Sequence, residues 1–251
     1  MSAALYLSRR GHSVTLAEQS TRLGGQFALA WQAPGKELMK DGLDAVVRSV
    51  NTCGAAVSFS TRVDADYVRS LRPDLLVWAT GAVSNIPKIP GLKDQHTLTA
   101  EAFFNGEKEV EGRRVLVIGA GRTGLEIAEK LGKEGVEVVA TKRTGPIGSM
   151  MEGITRKLLL MRIDKMENVT LMPHTTVKAF FPDKVEIEQD GAGKFLDPFE
   201  TVVIASGMVP AVQPAEEIAG AVKEVEIIGD AREVGDIFSA THAGYEVARR
   251  H

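Results

Sequence analysis

One stretch constrains the fold of this chain more than any other, an apolar run that ends abruptly in glycines. Residues 114–118 read Arg-Val-Leu-Val-Ile, and Gly119, Gly121 and Gly124 follow before an amphipathic segment begins. This order predicts a buried strand, a tight turn and the first turn of a helix. The glycine spacing is the G-x-G-x-x-G of a dinucleotide-binding βαβ unit. Because strand and helix flank the glycines, the stretch predicts a nucleotide site.

Each glycine of this turn has its own predicted role. Gly119 permits the tight turn, Gly121 lets the backbone approach a pyrophosphate, and Gly124 lets helix and strand pack closely. The helix then begins at Arg122 and Thr123, and the free N–H groups and positive dipole end of its first turn would receive the phosphate charge.

Composition places the chain among ordinary globular proteins. The 251 residues suffice for two domains, and 44% are hydrophobic and 25% charged. A net charge of −3 gives no electrostatic case for nucleic acid or an anionic membrane. No apolar run approaches the roughly 20 residues that span a bilayer, so we expect a cytoplasmic protein. Cys53 is the single cysteine, which excludes a C-x-x-C pair and suggests an inert thiol or a small buried hydrophobe.

The amino terminus reads as the second half of another βαβ unit. Residues 1–10 are helical in pattern, Gly11 ends that helix, and residues 12–18 alternate like a strand that ends in Glu18. The sequence has no signal-peptide pattern. Since no strand and glycine turn precede this helix, we expect the chain to be a fragment or its start codon to be assigned too late.

Two further apolar strands end alike and indicate an internal repeat. Residues 75–78 run into Ala79-Thr80-Gly81, and residues 201–204 run into Ala205-Ser206-Gly207. A third strand ends in Gly229-Asp230 after the second unit is complete, so we expect it to return to the first domain. The expected fold class is α/β, with two Rossmann-like domains of the three-layer ββα type. The second domain, residues 107–207, would be inserted in the first, residues 1–106 and 208–251.

The remaining pattern predicts shorter elements around this frame. Pro87 and Pro90 suit a segment that crosses between domains, and residues 190–193 suit a turn. Helices are predicted at 38–51, 64–71, 154–165 and 236–250, and strands at 57–59, 136–140, 169–172, 175–180 and 184–188.

A glycine-bearing loop carries a more specific resemblance. Residues 23–27 read Leu-Gly-Gly-Gln-Phe, and Gln32 and Pro34-Gly35-Lys36-Glu37 follow. With the motifs above, they resemble the flavoprotein pyridine nucleotide reductases of glutathione-reductase type. Within that group they look like the carboxy-terminal half of 2,4-dienoyl-CoA reductase, trimethylamine dehydrogenase and histamine dehydrogenase. The resemblance implies an upstream barrel, similar to Old Yellow Enzyme, with FMN and a 4Fe–4S cluster.

The resemblance also implies roles for individual residues. Glu18 matches an acid that binds the FAD adenosine ribose, and Asp230, after Gly229, matches an aspartate at the ribityl chain and pyrophosphate. Glu126 matches an acid near the nicotinamide. The residues matched to loops and turns beside the FAD are Arg22, Gly24, Gly25, Gln26, Ala79, Thr80 and Gly81. Gly207, which ends the repeated turn, is predicted to bind the cofactor as well. Plain alternatives stay open, because Glu18 could be a solvated strand end, the loop an ordinary surface turn, and Asp230 a helix-terminal acid.

The end of the strand at 136–140 bears on the choice of coenzyme. An NAD site wants a carboxylate roughly 20 residues after the glycine turn, to accept from the ribose 2′-OH. In this chain Thr141, Lys142 and Arg143 occupy the end of that strand, where an NAD site usually has the carboxylate. Cations recognise a 2′-phosphate, and arginine can form paired hydrogen bonds with it. The sequence therefore favours NADP over NAD, the alternative being a solvated basic loop.

These inferences predict an electron-input module that binds FAD and NADPH, passes hydride from NADPH to FAD, and sends electrons to the absent Fe–S/FMN barrel. We expect no catalytic side chain and no metal site in the chain, since the cofactors perform the chemistry. The alternatives are a ferredoxin-reductase-like flavoprotein and a non-catalytic nucleotide-binding fragment. The open edge left by a missing strand would favour self-association.

Overall fold

The structure is a computed structural model that describes residues 1–251, and it contains both helices and strands. The helices are α1 Ser2–Arg9, α2 Phe27–Ala30, α3 Met39–Thr52, α4 Ala65–Leu71, α5 Ala100–Asn105, α6 Arg122–Lys133, α7 Gly153–Ile163, α8 Glu216–Ala219 and α9 Ile237–Arg250. The strands are β1 Thr15–Ala17, β2 Ala56–Ser58, β3 Leu75–Trp78, β4 Ala82–Ser84, β5 Thr97–Thr99, β6 Arg114–Ile118, β7 Glu137–Thr141, β8 Val169–Met172, β9 Thr175–Phe180, β10 Val185–Gln189, β11 Ala192–Leu196, β12 Thr201–Ile204, β13 Met208–Pro210 and β14 Glu224–Ile227.

The chain divides into two compact units. Unit 2 contains residues 84–207 with the short segment 32–35, and unit 1 contains residues 1–31, 36–83 and 208–251. Unit 2 is therefore inserted in the sequence of unit 1, and the prediction of an α/β fold with one domain inserted in the other is confirmed. No helix in the structure is long and apolar enough to cross a membrane.

Unit 2 is built on a five-stranded parallel sheet in the order β5-β12-β6-β7-β8. The central strand β6 pairs with β12 on one side and with β7 on the other. Four of its five residues are buried, as a parallel strand with both faces covered requires. The apolar run at residues 114–118 therefore lies at the centre of this sheet.

A second sheet completes the core of unit 2. The antiparallel strands β9, β10 and β11 form a three-stranded sheet, and Val177, Val185 and Ile187 of this sheet share one apolar cluster with Leu116 and Val139. The parallel sheet also packs against α6. This layering matches the predicted ββα arrangement.

Unit 1 contains shorter pieces of sheet. β1 pairs in parallel with β2, and β3 pairs in parallel with β14, as two separate two-stranded sheets. Helices α1 and α9 pack closely at Gly244, where a Cβ atom would lie 2.6 Å from the backbone nitrogen of Ala3. α1 contributes Ala3 and Leu7 to one apolar cluster and Leu5 to another. It therefore links the cores associated with the two sheets.

The domain boundary differs from the one expected. The main segment of unit 2 begins at Ser84, whereas residue 107 was expected, because β5 pairs with β12 and its Leu98 is buried. The proline-bearing segment 87–90 is thus part of unit 2. The expected turn at 190–193 is also corrected in part, since Ala192 begins β11, which pairs with β10.

Candidate functional site

The glycine turn of unit 2 lies between β6 and α6 as predicted. Gly119 adopts φ of 110°, and a Cβ atom there would collide with the carbonyl of Ala205. A Cβ at Gly124 would collide with the carbonyl of Gly119, so helix and turn touch through backbone alone. At Gly121 a Cβ would meet no atom within 4 Å. The turn is therefore closed towards the protein at two glycines and open to a ligand at the third.

The first turn of α6 has backbone N–H groups that no capping side chain satisfies. Gly121 is the N-cap residue, and no side chain accepts a hydrogen bond there. Asp64, Thr99 and Glu152 cap α4, α5 and α7 with their side chains, whereas α6 shares the lack of a side-chain cap with α1, α2, α3 and α8. The first N–H groups of α6, beside the exposed Arg122 and Thr123, thus suit an anionic ligand. This geometry fits the pyrophosphate of a dinucleotide.

The turn is hydrogen bonded to the end of the neighbouring strand. The amides of Gly119 and Ala120 donate to the carbonyl of Thr141, at 3.0 and 2.8 Å. Lys142 follows immediately, and its amide donates to the carbonyl of Met172 at 2.9 Å, while its own carbonyl accepts from Thr175 at 2.9 Å. Lys142 and the exposed Arg143 therefore leave the same edge of the sheet as the glycine turn.

The end of β12 lies against the same turn. The amide of Ala205 donates to the carbonyl of Ile118 at 2.9 Å. Next to it, the Ser206 hydroxyl donates to the carbonyl of Asn85 at 2.6 Å, and Asn85 donates to the carbonyl of Gly207 at 2.9 Å. Gly207 has φ of 96°, and a Cβ atom on it would meet no atom within 4 Å, so this side stays open. Three strand ends thus meet at one place, as ligand sites of parallel sheets require.

Two glutamates of α6 differ in their surroundings. Glu126 is 7% exposed and was predicted from the resemblance. Glu129 is fully buried and was not predicted, and its carboxylate accepts from Arg162 of α7 at 2.7 and 3.1 Å and pairs with Lys133 at 2.8 Å. Burial raises the pKa of Glu129, but the hydrogen bonds from Arg162 and Lys133 outweigh it and hold that pKa below its ordinary value. In the sequence, the only indication of this network is the i,i+4 spacing between Glu129 and Lys133.

In unit 1, Glu18 follows β1 and its carboxylate accepts from the amide of Ser20 at 2.8 Å. The loop that follows contains Arg22 and two glycines with positive φ, of 126° at Gly24 and 49° at Gly25. Gly24 packs against Ala28 and Leu43, while Gly25 faces open space. Gln26 is the N-cap residue of α2, so the predicted loop leads directly into a helix that the sequence did not reveal.

The other predicted residues of unit 1 meet at the ends of β3 and β14. These strands are parallel, and the amide of Ile228 donates to the carbonyl of Trp78 at 3.1 Å. The turn of Ala79, Thr80 and Gly81 therefore leaves the sheet beside Gly229 and Asp230. The Asp230 carboxylate accepts from the amide of Gly235 at 3.0 Å. The α9 N-terminus is capped separately by Asp236, so Asp230 is not the capping residue of that helix.

A hollow beside the glycine-bearing loop was missed by the sequence reasoning. It measures about 370 Å³ and lies next to Arg22. Its walls include the aromatic side chains of Trp31 and Phe59 together with Lys40 and Asp44. Phe59 was predicted as part of a strand, and nothing in the pattern linked these residues to the loop.

Comparison with known proteins agrees with this geometry. The sequence profile described as pyridine nucleotide-disulphide oxidoreductase matches residues 1–232. An NADH oxidase of Thermoanaerobacter brockii is 30% identical over 99% of this chain, which spans 39% of that protein. A bilirubin reductase of Mediterraneibacter gnavus is 32% identical over 99% of this chain and 38% of its own length.

Solved structures show the same fold. A 2-naphthoyl-CoA reductase superimposes with a TM-score of 0.90 at 26% identity, over 98% of this chain and 37% of that one. Histamine dehydrogenase from Rhizobium gives a TM-score of 0.87 at 22% identity, over 99% of this chain and 42% of that one. The chain thus spans about two fifths of these relatives, and the resemblance stated from its motifs is confirmed.

Proposed function

Because the chain belongs to the pyridine nucleotide-disulphide oxidoreductase family, we propose that it is the NADPH- and FAD-binding electron-input module of a longer flavin oxidoreductase. Membership of this family, and the oxidases and reductases among the named relatives, support an oxidoreductase with a flavin and a nicotinamide coenzyme as cofactors. The observation that carries the finer proposal is the meeting of the glycine turn, the uncapped α6 and the cationic end of β7 in unit 2.

When bound, the nicotinamide coenzyme supplies a hydride to the flavin, and the flavin would pass electrons to FMN and Fe–S centres of an additional barrel. The chain's own residues bind and orient these groups. Gly121 admits the pyrophosphate to the backbone, and the first turn of α6 offers it N–H donors. Gly119 and Gly124 hold strand and helix at the required close approach.

The choice of NADPH rests on the end of β7. Lys142 and Arg143 follow Thr141, whose carbonyl is hydrogen bonded to the glycine turn. No carboxylate stands in that sequence position to accept from a ribose 2′-OH. The Arg143 guanidinium is exposed and can bind a phosphate through paired hydrogen bonds.

FAD would be held by unit 1. Glu18, the loop of Arg22 and Gly25, the turn at Gly81 and Asp230 follow strand ends or their connecting loops. Gly25 and Gly81 have positive φ and no atom within 4 Å of a Cβ position, so the backbone can approach a ligand at both. These features support the FAD roles proposed for the five residues.

The module proposal is tested by flavin reduction. The 251-residue chain is incubated with FAD, freed of unbound flavin, and mixed with NADPH under anaerobic conditions. We expect retained flavin whose visible absorption bleaches. A chain that retains no flavin, or that retains flavin which neither NADPH nor NADH bleaches, would contradict the proposed electron input.

The coenzyme choice is tested with Arg143→Ala. The variant should bind NADPH about tenfold more weakly, since a charge-assisted hydrogen bond is lost, and NADH with little change. Isothermal titration of both coenzymes measures this, with Lys157→Ala as a control for the change in net charge. Equal weakening for NADPH and NADH would contradict a 2′-phosphate role.

A further inference from the structure

The segment between β7 and α7, residues 143–151, forms a strap. Its conformation is unusual, because Gly145, Gly148 and Met150 all have left-handed backbone, with φ of 70°, 68° and 75°. For methionine this conformation is sparsely populated. Arg143 is the first residue of the strap.

The far end of the strap is fastened to the glycine turn. The amide of Gly148 donates to the carbonyl of Ala120 at 2.9 Å. Gly148 is buried, and a Cβ there would lie 3.1 Å from Leu125 and 3.2 Å from Arg156. The strap therefore packs against α6 at Gly148 with little free space.

Arg156 holds the adjacent residue of the strap. Its Nε donates to the carbonyl of Ile147 at 2.6 Å, and the side chain is partly buried. Arg156 is itself fixed, since its amide donates to the carbonyl of Glu152, whose side chain caps α7 at Ile154 and Thr155, each at 2.9 Å. The contact with Ile147 thus ties the strap to a well-anchored helix.

The near end of the strap is fixed by the sheet. The backbone of Lys142 is hydrogen bonded on one side to Met172 and on the other to Thr175, at 2.9 Å each. Residues 143–147 therefore span two fixed points, and the backbone freedom of Arg143 is limited by both. A side chain that is positioned before its ligand arrives loses less entropy on binding.

We infer that Arg156 is a positioning residue for coenzyme selection: it acts through Ile147 to hold Arg143 in place for a 2′-phosphate. The inference rests on the NADPH site proposed above. Arg156 is not expected to affect the position of Lys142, because the backbone of Lys142 is already hydrogen bonded to the sheet. The Arg156 side chain donates to Ile147 and forms no hydrogen bond with the glycine turn, so we expect NADH binding to depend on it little.

The test uses Arg156→Met in the full chain, which keeps the aliphatic contact with Gly148 and removes the donor. NADPH and NADH are each titrated by calorimetry, and thermal unfolding is recorded. We expect NADPH to bind about three- to tenfold more weakly, the range expected when one ordered segment is released, and NADH to change less than about twofold. Lys157→Met, an exposed neighbour on α7, controls for the loss of one positive charge.

A double variant shows whether Arg156 acts through Arg143. In the Arg143→Ala background, Arg156→Met should weaken NADPH binding no further, which would support the inference. Additive losses in the double variant, or an Arg156→Met chain that binds both coenzymes as the Lys157→Met chain does, would overturn it. So would equal weakening of both coenzymes with a lower unfolding temperature. Failure of the unmodified chain to prefer NADPH would instead overturn the proposed function.

Discussion

Two strands with similar sequences end in similar turns but have different environments in the two units. β12 of unit 2 precedes Ala205-Ser206-Gly207 and all four of its residues are buried. β3 of unit 1 precedes Ala79-Thr80-Gly81, and all four of its apolar residues are half-buried. β12 is paired on both edges, with β5 and β6, whereas β3 is paired with β14 alone.

An apolar run therefore does not by itself determine burial in a parallel sheet. Neighbours on both edges and layers on both faces are needed to exclude water. In unit 2 these neighbours surround β6 and its glycine turn, and the site has a rigid base. In unit 1 the strands form separate two-stranded sheets, so the residues matched to FAD rest on a less enclosed framework.

The largest difference in stability cost between the two units is expected for substitutions of glycines in their turns. Gly124→Ala places a methyl group against the carbonyl of Gly119, and should destabilise unit 2 by about 4 kcal/mol and abolish coenzyme binding. Gly81→Ala in unit 1 meets no atom and should cost about 1 kcal/mol, from its φ of 77° alone. Denaturant unfolding of both variants measures the difference. Similar costs would contradict the close backbone contact at Gly124.

The second comparison between the units uses leucine-to-alanine substitutions in their strands, which should differ in their cost to the free energy of unfolding. Leu116→Ala in β6 empties a fully buried site and should cost about 3 kcal/mol. Leu76→Ala in β3 removes a half-buried side chain and should cost about 1 kcal/mol. The free energies of unfolding from denaturant titrations test this. A Leu76 variant as unstable as the Leu116 variant would mean that β3 is covered as well as β6.

The third comparison concerns ion pairs, and the larger of its two expected costs is the smallest of the three comparisons. Glu129→Gln leaves Arg162 without its buried partner and should cost about 2 kcal/mol at neutral pH. Asp74→Asn breaks an exposed pair with Lys223 in unit 1 and should have no measurable effect.

The effect of Glu129 has a defined pH dependence. The pKa of Glu129 is lowered in the folded chain, so its contribution is complete above the unfolded pKa of about 4.3 and is lost as the pH falls through the lower folded value. Unfolding measured from neutral pH into acid should therefore show the stability difference between wild type and Glu129→Gln shrinking. A difference that stays constant into acid would contradict the ionised pair.

Much of unit 2 could be predicted from sequence because its signals are local. The apolar run at 114–118 predicts β6, the glycine spacing predicts the turn, and the amphipathic pattern predicts α6. β8 and β9 were predicted with the bounds observed. β5 was missed, since three residues with one buried leucine form a strand only through β12. β11 begins in a stretch of small residues typical of a turn, and its pairing with β10 decides its structure.

The residue types of the candidate site come from the sequence, whereas their arrangement comes from the structure. Gly119, Gly121 and Gly124 and the cations at 142 and 143 follow from spacing. The hydrogen bond from Gly148 to Ala120 and the contact of Arg156 with Ile147 join residues whose sequence carries no pattern. Such long-range backbone contacts depend on the packing of α7 and cannot be obtained from periodicity.

The most direct test of a complete NADPH site in unit 2 is hydrogen–deuterium exchange of the full chain with and without NADPH. We expect slowed exchange at residues 119–125 and 142–148, and weaker protection of 142–148 with NADH at equal saturation. Binding of NADPH without protection of the glycine turn, or equal protection of 142–148 by both coenzymes, would contradict it.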